Sequence, residues 1–358
     1  MDKDELYYLA IDLLKKLISI PRYSRDETKG ADLVEEFLRN NLTNQVVIVR
    51  HGNNILVKNN KIDSSRPTVL LNSHIDTVKP VSGWRHDPHD PIYINQDDKL
   101  FGLGSNDAGA SLVSLLAAFM YFTVNAIPCS YNLQMLVSAE EEVSGKDGIE
   151  SMLPYLDPID FAIVGEPTMM EIGVAEKGLV VIDGEVRGIA GHAARDEGEN
   201  AIYKAIPIIK SIGELSFPVE SEWLGKIKIN VTQIEAGTQH NVIPDSCRFV
   251  IDMRTIDTWS NEKTFEYLKT VLPSYTQLQP RSLRLNPSSI SLNNPVVKRL
   301  QLLGKKPFGS PTLSDQALMP WPSMKIGPGN SSRSHTSDEF VHLYEIRDAI
   351  ETYIKVLF

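Results

Sequence analysis

The sequence predicts an α/β protein with a mainly parallel sheet covered by helices, interrupted by a smaller inserted α+β unit. Two observations support this fold class. In the first half of the 358-residue chain, β-type runs alternate with helical segments, which is typical of βαβ units and of a parallel sheet buried on both faces. Near Gly173 the pattern changes to strand–helix–strand–strand–helix–strand, which is the order of a ferredoxin-like unit.

The first part of the chain opens with two amphipathic segments, because apolar residues recur at helical spacing over 6–17 and 31–38. Short β-type runs bounded by turn residues then predict strands over 46–49, 55–58, 68–72, 133–138 and 161–164. Small and apolar residues predict helices over 108–122 and 146–153. These elements predict the parallel sheet and its covering helices.

The inserted unit has its own set of predicted elements. Its strands are expected over 178–188, 225–235, 246–254 and 279–285, and its helices over 199–215 and 261–271. A helical start over 295–303 and a short strand over 323–326 then indicate a return to the first part. The predicted domains are therefore 1–173 together with 291–358, and an insertion over 174–290.

Composition excludes several classes of partner. Hydrophobic residues make up 42% and charged residues 23% of the chain, as in ordinary globular proteins. The formal net charge of −10 repels phosphate backbones and anionic lipid, so we expect neither nucleic acid nor membrane as a partner. Cys129 and Cys247 are too few for a disulfide framework or a thiolate zinc ribbon. An acidic start without a signal-peptide pattern, and no apolar run of about 20 residues, predict the cytoplasm.

Histidine and carboxylate residues follow the predicted strands of the first part. They are His74 and Asp76 after 68–72, Glu140, Glu141 and Glu142 after 133–138, Glu166 after 161–164, and His335 beyond 323–326. Asp107 adds a carboxylate just before a long helix. Because the carboxyl ends of parallel strands lie along one edge, these side chains are expected to meet there.

Each of these residues alone also has a plain structural explanation. Asp107 could cap its helix, and three consecutive glutamates could form a solvated turn. Their joint arrival at one edge favours a metal site instead. Imidazole and carboxylate donors without thiolate suit zinc in a hydrolytic site, and a pair of metals needs a bridging carboxylate.

Six motifs occur in order along nearly the whole chain: SHIDTV (73–78), GLGSNDAG (102–109), SAEEE (138–142), VGEPT (164–168), GH (191–192) and SHTSDEF (334–340). Together they resemble the di-zinc family of acetylornithine deacetylase, succinyl-diaminopimelate desuccinylase, aminoacylase and glutamate carboxypeptidase. The resemblance implies a zinc-peptidase-like catalytic domain and an inserted ferredoxin-like lid domain, through which a homodimer often forms.

The resemblance also implies a role for each motif residue. It implies two Zn²⁺ per subunit, for which Co²⁺ can substitute, held by His74 and Glu166, by Glu142 and His335, and by a bridging Asp107. Asp76 is expected to hydrogen-bond the ligand imidazole and fix its tautomer. Glu141 is expected to be the general base, because a carboxylate that coordinates metal cannot also accept the proton of the attacking water.

Residues of the insertion are expected to complete the site. By resemblance, His192 would stabilise the oxyanion, reaching the partner subunit's site, while Arg254 and Asn241 would contact the substrate. A guanidinium fork suits a bidentate grip on an α-carboxylate. A polar junction residue, a surface salt bridge and a turn residue are the respective structural alternatives. Gly329 and Asn330, in a loop before His335, are expected to bind substrate as well.

The chain departs from the family at one motif, since the usual Asp-Met-Lys-Gly is replaced by Asp-Ala-Gly-Ala from Asp107 onward. The ligand is retained, and the lost lysine leaves packing or substrate fit open. Four other histidines, namely His86, His89, His240 and His342, are interpreted as structural.

The motif around Gly329 and His335 resembles the acetylornithine deacetylase branch more than the others. It favours an arginine-biosynthesis enzyme that releases acetate or succinate from a small N-acyl-amino acid, such as N-acetylornithine or N-acetyl- or N-succinylcitrulline. The alternatives are succinyl-diaminopimelate desuccinylase and a di- or tripeptidase of the family. A non-catalytic metal-binding relative would be expected to lose Glu141, which is present.

Overall fold

The computed structural model describes residues 1–42 and 46–358. Over these residues the chain forms eight α-helices: α1 Lys3–Ile18, α2 Thr28–Asn41, α3 Ala110–Val124, α4 Ile149–Met152, α5 Ala201–Glu214, α6 Asn261–Val271, α7 Pro295–Leu302 and α8 Leu343–Leu357. The strands are β1 Val46–His51, β2 Asn54–Asn59, β3 Thr68–His74, β4 Ile92–Ile94, β5 Lys99–Phe101, β6 Asn132–Ser138, β7 Phe161–Val164, β8 Ile172–Glu176, β9 Gly178–Arg187, β10 Gly191–His192, β11 Glu220–Ser221, β12 Gly225–Lys226, β13 Lys228–Ala236, β14 Val242–Ile243, β15 Ser246–Thr255, β16 Thr276–Pro280, β17 Ser288–Ser289, β18 Pro307–Ser310, β19 Ser323–Lys325 and β20 Phe340–His342.

These elements belong to two compact units. Unit 1 comprises Met1–Val174, Ser289–Phe308 and Ser314–Phe358, and unit 2 comprises Ala175–Ser288 and Gly309–Leu313. The sequence placed 309–313 with the first part, whereas the structure places these residues in unit 2. The reason is close packing: a Cβ added to Gly309 would lie 2.1 Å from the carbonyl oxygen of Trp223.

A mixed sheet forms the centre of unit 1. Its described strands follow the order β1-β2-β6-β3-β7-β19-β8-β17, with β18 paired to β8. The four central strands β6, β3, β7 and β19 are mutually parallel, as predicted, while β1, β2 and β8 run antiparallel to their neighbours. Every residue of β3 and β7 is buried, as expected for parallel strands covered on both faces.

Helices cover both faces of this sheet. On one face α3 packs against β3 and β6 and also contacts α1 and α8. On the other face α4 contributes Ile149 and Met152 to a cluster with Leu70 and Leu136. The stretch Ser105–Val124 is long and apolar enough to cross a membrane, but 83% of it is buried inside the protein, so it is a core element. An all-round apolar helix of this kind is typical of a protein interior.

Unit 2 is an antiparallel sheet backed by two helices. The sheet order is β13-β15-β9-β16, and α5 and α6 pack on one face of it. In chain order the elements run β9, α5, β13, β15, α6, β16, which is the ferredoxin-like arrangement that the sequence predicted. Alternate residues of β9 and β15 are buried, such as Val180, Ile182, Ile251 and Met253, so each strand presents one apolar face to the helices.

Two predicted elements of unit 2 differ from those observed. The strand expected over 279–285 is displaced to Thr276–Pro280, because the side-chain amide of Asn261 donates to the carbonyls of Leu283 and Leu285, at 3.1 and 2.7 Å. The strand expected over 225–235 begins only at Lys228, because β12 folds back to pair with β11.

The helix predicted over 146–153 is also shorter than expected. Only Ile149–Met152 is α-helical, and the turn that follows it, Leu153–Tyr155, contains a proline in its first positions. Proline lacks the N–H that would continue the helix. Helix α3 also starts later than predicted, at Ala110 instead of residue 108, because Asp107 and Ala108 have non-helical backbone angles.

Candidate metal centre

The carboxyl ends of the central strands of unit 1 deliver most of the candidate ligands. His74 is the last residue of β3, Glu142 lies in a 3₁₀ turn after β6, and Glu166 follows β7. His335 lies in the loop between β19 and β20, and Asp107 lies in the turn Ser105–Gly109 before α3. These five residues, distant in sequence, therefore lie at the same edge of the sheet.

The ligand atoms of these residues lie close together. Donor atoms of His74, Asp107 and Glu142 all lie within 4.8 Å of one another, as a metal ion requires. His335 Nε2 is 3.0 Å from Glu142 Oε2, and His74 Nε2 is 3.9 Å from Glu166 Oε1. The structure thus brings together the five predicted ligands.

Asp107 lies between the two imidazoles. Its Oδ1 is 3.3 Å from His74 Nε2, and its Oδ2 is 3.5 Å from His335 Nε2. Each carboxylate oxygen therefore faces a different histidine, which is the arrangement that a carboxylate shared by two cations requires. The donor set contains only imidazole and carboxylate groups, which fits zinc and related divalent ions. The side chain does not cap α3, whose N-terminus has no side-chain cap, and the Asp107–Ala108 peptide bond is cis.

Asp76 is a buried carboxylate that contacts the turn after β6. Its Oδ1 and Oδ2 accept hydrogen bonds from the backbone N–H groups of Glu141 and Glu142, both at 3.1 Å, and Oδ2 accepts another from Ser24 Oγ at 2.7 Å. The Nδ1 atom of His74 is 3.0 Å from the Asp76 carbonyl and 3.4 Å from Oδ1. Asp76 therefore contacts the His74 imidazole mainly through its backbone carbonyl, and its carboxylate fixes the turn that carries Glu141 and Glu142.

Glu141 has the environment of a general base. Burial raises the pKa of its carboxyl well above the usual range, His74 acts in the opposite direction, and the charges of Glu166, Asp315 and Glu142 raise it further. A carboxylate with a raised pKa is a better proton acceptor near neutral pH. One hydrogen bond from its own backbone N–H to Asp76, and a second from that of Glu142, hold the turn in place.

The surroundings of His74 and His335 favour positive charge on both imidazoles. The hydrogen bond that the His335 imidazole donates to Glu142 is the main reason that the pKa of His335 rises to about 9, although burial acts against it. For His74, burial lowers the pKa, but hydrogen bonds to Asp107 and Asp76 raise it well above its ordinary value. Surroundings that favour a proton on an imidazole nitrogen also favour a metal cation there, and metal binding releases that proton.

The loop that contains Gly329 and Asn330 is tied to the ligand turn by Asn106. The Asn106 Oδ1 atom accepts from the Asn330 backbone N–H at 2.9 Å, and its Nδ2 donates to the Asn330 carbonyl at 3.1 Å and to Ser334 Oγ at 3.2 Å. A Cβ added to Gly329 would lie 2.3 Å from Asn106 Oδ1. This predicted substrate loop is therefore placed beside Asp107 and close to His335.

The predicted residues of unit 2 are held within that unit. His192, in β10, pairs with Val242 of β14, and its exposed imidazole accepts from the Ala194 N–H at 3.1 Å. Arg254 makes a two-point ion pair with Asp252, with N···O distances of 2.9 and 3.1 Å. Asn241 is exposed and its carbonyl accepts from the Ala193 N–H at 3.0 Å.

Three of the four histidines interpreted as structural make contacts of that kind. His89 lies 2.9 Å from the Tyr23 hydroxyl, His86 packs edge-on against Phe101, and His342 lies 3.0 Å from the Asp97 carbonyl through Nδ1. His240 is exposed in a loop of unit 2.

Sequence reasoning did not single out several buried charged residues around the site. Glu27 accepts hydrogen bonds from the backbone N–H groups of Arg25 at 2.6 Å and Glu140 at 3.2 Å, and from the Asn53 side chain at 2.9 Å. Asp315 accepts a hydrogen bond of 2.5 Å from Ser138 Oγ. Such residues have no sequence signal of their own, because a charged residue outside a motif is usually on the surface.

A family profile described as Peptidase family M20/M25/M40 matches residues 70–358. The match covers most of the chain, so the chain belongs to this peptidase family. Its homologues are metallo-amidohydrolases and peptidases, and the chain is accordingly a hydrolytic enzyme.

Two curated relatives differ in their reactions. A succinyl-diaminopimelate desuccinylase of Nitratiruptor is 26% identical over 341 residues, covering 92% of this chain and 86% of the relative. An acetylornithine deacetylase of Myxococcus xanthus is 30% identical over 226 residues, covering 61% of this chain and 57% of the relative. Both names denote amide hydrolysis of an N-acylated amino acid.

Solved structures share the fold. A tripeptidase from Staphylococcus aureus superposes with a TM-score of 0.76 at 19% identity, covering 98% of this chain and 97% of that chain. A dinuclear metal-binding peptidase of the M20 family from Bacillus subtilis superposes with a TM-score of 0.74 at 15% identity, covering 99% and 98%.

Proposed function

We propose that this M20 hydrolase cleaves the amide bond of a small N-acyl-L-amino acid and releases the free amino acid with acetate or succinate. The observation that carries the proposal is the placement of two adjacent glutamates on one turn beside the candidate ligands. Glu142 Oε2 lies 3.0 Å from His335 Nε2 in the ligand cluster, whereas Glu141, on the same turn and bound to Asp76 through its backbone N–H, would serve as the base. A base that does not coordinate metal, next to a metal cluster, is what hydrolysis of an unactivated amide needs.

The five clustered side chains would hold two divalent ions, with zinc as the proposed metal and Co²⁺ as a substitute. Zinc in such a site supplies Lewis-acid polarisation of the amide carbonyl and acidifies water. Glu141 would accept the proton of the attacking water on its carboxylate. It would then deliver that proton to the leaving amine nitrogen, as general acid–base catalysis requires. Asp76 keeps both Glu141 and His74 in place during this exchange.

Two kinds of substrate are proposed first, one for each type of curated relative. The loop motif and the Myxococcus relative favour N-acetylornithine or an N-acyl-citrulline, and with it a role in arginine biosynthesis. Succinyl-diaminopimelate is equally supported, because the Nitratiruptor relative matches over more of the chain. A peptide substrate, as in the structural neighbours, is the remaining candidate.

Substrate profiling of zinc-reconstituted protein tests this proposal. We expect measurable kcat/KM with N-acetylornithine, N-acetylcitrulline, N-succinylornithine or succinyl-diaminopimelate, and much lower values with di- and tripeptides. A preference for a peptide over all four acylated amino acids would overturn the N-acyl-amino-acid proposal.

The E141Q variant tests the role of the base. It keeps the shape of the side chain and the ligand set, so we expect zinc content equal to that of the wild type. Loss of a general base typically lowers the rate by about 100–10,000-fold. Zinc content and rate falling together would show that Glu141 is a ligand and not the base.

Unit 2 is proposed to supply His192 as an oxyanion donor, with Arg254 and Asn241 as substrate contacts, and to form a homodimer. An exposed apolar surface on α5 supports the dimer, since Tyr203 is 74% and Ile206 is 53% exposed. Mixing E141Q and H192A protomers tests whether His192 acts across the dimer. Recovered turnover in the mixture supports this arrangement, and no recovery refutes it.

A further inference from the structure

Glu339 is a buried carboxylate whose hydrogen bonds all go to the loop that carries Asp107. Glu339 is only 2% exposed. Its Oε1 accepts from the backbone N–H groups of Asn106 at 2.8 Å and Asp107 at 2.9 Å, and its Oε2 accepts from Gly104 at 3.1 Å. The backbone carbonyl of Glu339 also accepts from Gly102 at 3.0 Å.

The opposite side of the same loop is held by a buried cation. Arg22 is also 2% exposed, and its Nη2 donates to the Gly104 carbonyl at 3.1 Å, while Nη1 donates to the Leu17 carbonyl at 3.2 Å. The peptide groups of Gly104 are thus bound by Glu339 on one side and Arg22 on the other. No side chain fits at this position, because a Cβ there would lie 2.5 Å from Arg22 Nη2 and 2.5 Å from Thr77 Cγ2.

Glu339 also links the chain segment that contains His335 to the loop that contains Asp107. It lies in the segment that contains His335, directly before β20, and β20 pairs with β5, which leads into the Asp107 loop. The neighbouring Asp338 fixes this segment from outside through Arg85. One residue therefore sets the separation of Asp107 from the segment of the second histidine.

We propose that Glu339 is a positioning residue for the metal centre. By binding the backbone of the Asp107 loop, it holds the Asp107 carboxylate where the carboxylate can bridge two cations, one bound by each histidine. The hydrogen bonds to three N–H groups from one loop require two acceptor oxygens, which only a carboxylate offers. Outer partners of this kind orient ligands without touching the metal, and their loss typically weakens metal binding or activity by about 10–100-fold.

The E339Q variant tests this proposal with little change of volume. Its amide oxygen can keep the bonds to Asn106 and Asp107, but the amide nitrogen then faces the N–H of Gly104, and two donors repel each other. D160N is the matched control, because Asp160 also accepts a backbone N–H, that of Thr68 at 2.7 Å, at the opposite end of β3. Both variants replace a carboxylate that accepts a backbone N–H by a neutral amide, and only E339Q touches the ligand loop.

Zinc affinity is measured by competition with a chromophoric chelator, using zinc alone and no substrate, followed by kcat and KM on the best substrate. We expect E339Q to bind zinc about 10–100-fold more weakly, with a lower kcat and little change in KM, while D160N matches the wild type. Wild-type zinc affinity in E339Q, even with reduced thermal stability, would overturn the proposal. Equal losses in E339Q and D160N would overturn it too.

The inference rests on the proposed metal centre, and the two fail in different ways. A wild-type protein that binds no zinc would refute the metal centre before any variant is compared. If E339Q does not fold, E339D provides the same test, since its carboxylate is retracted by one methylene and cannot reach all three N–H groups. Wild-type zinc affinity in E339D would then overturn the role of Glu339.

Discussion

Asp315 offers a quantitative test of the electrostatics behind the site. The residue is 4% exposed and accepts a hydrogen bond of 2.5 Å from Ser138 Oγ, which in turn accepts one of 2.9 Å from Asn72 Nδ2. Ser138 ends β6 and Asn72 lies in β3, so Asp315 joins the two strands that deliver His74 and the glutamate turn. We propose the D315N variant, which keeps an acceptor for Ser138 and removes the charge.

Burial is the main reason that the pKa of Asp315 is raised from 3.8 to about 6, although the Ser138 hydrogen bond lowers it. A carboxyl that binds its proton more tightly in the folded state destabilises the fold when it is ionised. The penalty is absent below pH 3.8, grows as the pH rises, and is complete above about pH 6. A shift of about 2 units corresponds to about 3 kcal/mol at neutral pH.

Urea unfolding of the chelated protein, followed by circular dichroism at intervals from pH 4 to pH 7.5, measures this penalty. We expect the free energy of unfolding of D315N, relative to wild type, to increase by up to about 3 kcal/mol across this range. The S138A control keeps the charge and removes a hydrogen bond that lowers the pKa, so its stability should fall more steeply with pH than that of wild type. A difference between D315N and wild type that is flat across the range would refute the reasoning.

Three further predictions follow from the same contacts. G104A should lower the free energy of unfolding by more than about 1 kcal/mol, because Gly104 has φ +71° and no space for a Cβ. G213A, in an open position on α5, should raise it by about 0.5–1 kcal/mol. Equal urea midpoints for the two variants would contradict this. D107N should reduce zinc content at both positions and H335N mainly at one, as counted by elemental analysis after gel filtration; equal losses would show that Asp107 is not shared. Chelation of wild-type protein should lower its melting temperature at pH 7, and zinc should restore it; an unchanged melting temperature would show that the site is not linked to folding.

Elements in which apolar side chains alternate or recur at helical spacing were predictable from the sequence. The parallel strands β3, β6 and β7 and the helices α5 and α6 follow directly from apolar patterning. The displaced strand β16 was not predictable, because the backbone carbonyls of Leu283 and Leu285 are bound by Asn261, a contact between distant parts of the chain. Antiparallel pairing at the sides of the unit 1 sheet was equally out of reach, since periodicity does not report strand direction.

For the candidate site, the ligands themselves were predictable because each lies in a motif after a strand. The residues that hold them were not. Glu27 and Glu339 are buried acids that accept backbone N–H groups, and the buried Asp315 accepts the Ser138 hydroxyl; a sequence does not reveal which acid reaches which partner. The contact of Asp76 with the glutamate turn was not predictable either, because the imidazole is bound mainly by the Asp76 carbonyl, which leaves both carboxylate oxygens to accept from the turn.

The concentration of acids at this edge of the sheet links metal binding to stability. Asp76, Glu27 and Glu339 accept backbone N–H groups from turns that carry or adjoin the candidate ligands, so their negative charges add to those of the ligands. Burying many like charges is costly unless cations are close by. Burial, together with the charges of Glu166, Asp315 and Glu142, raises the pKa of Glu141, so the surroundings that would make it a good base are also expected to make the protein depend on bound cations. An enzyme built this way is expected to lose stability and activity together when its metal is removed, and to recover both together when the metal returns.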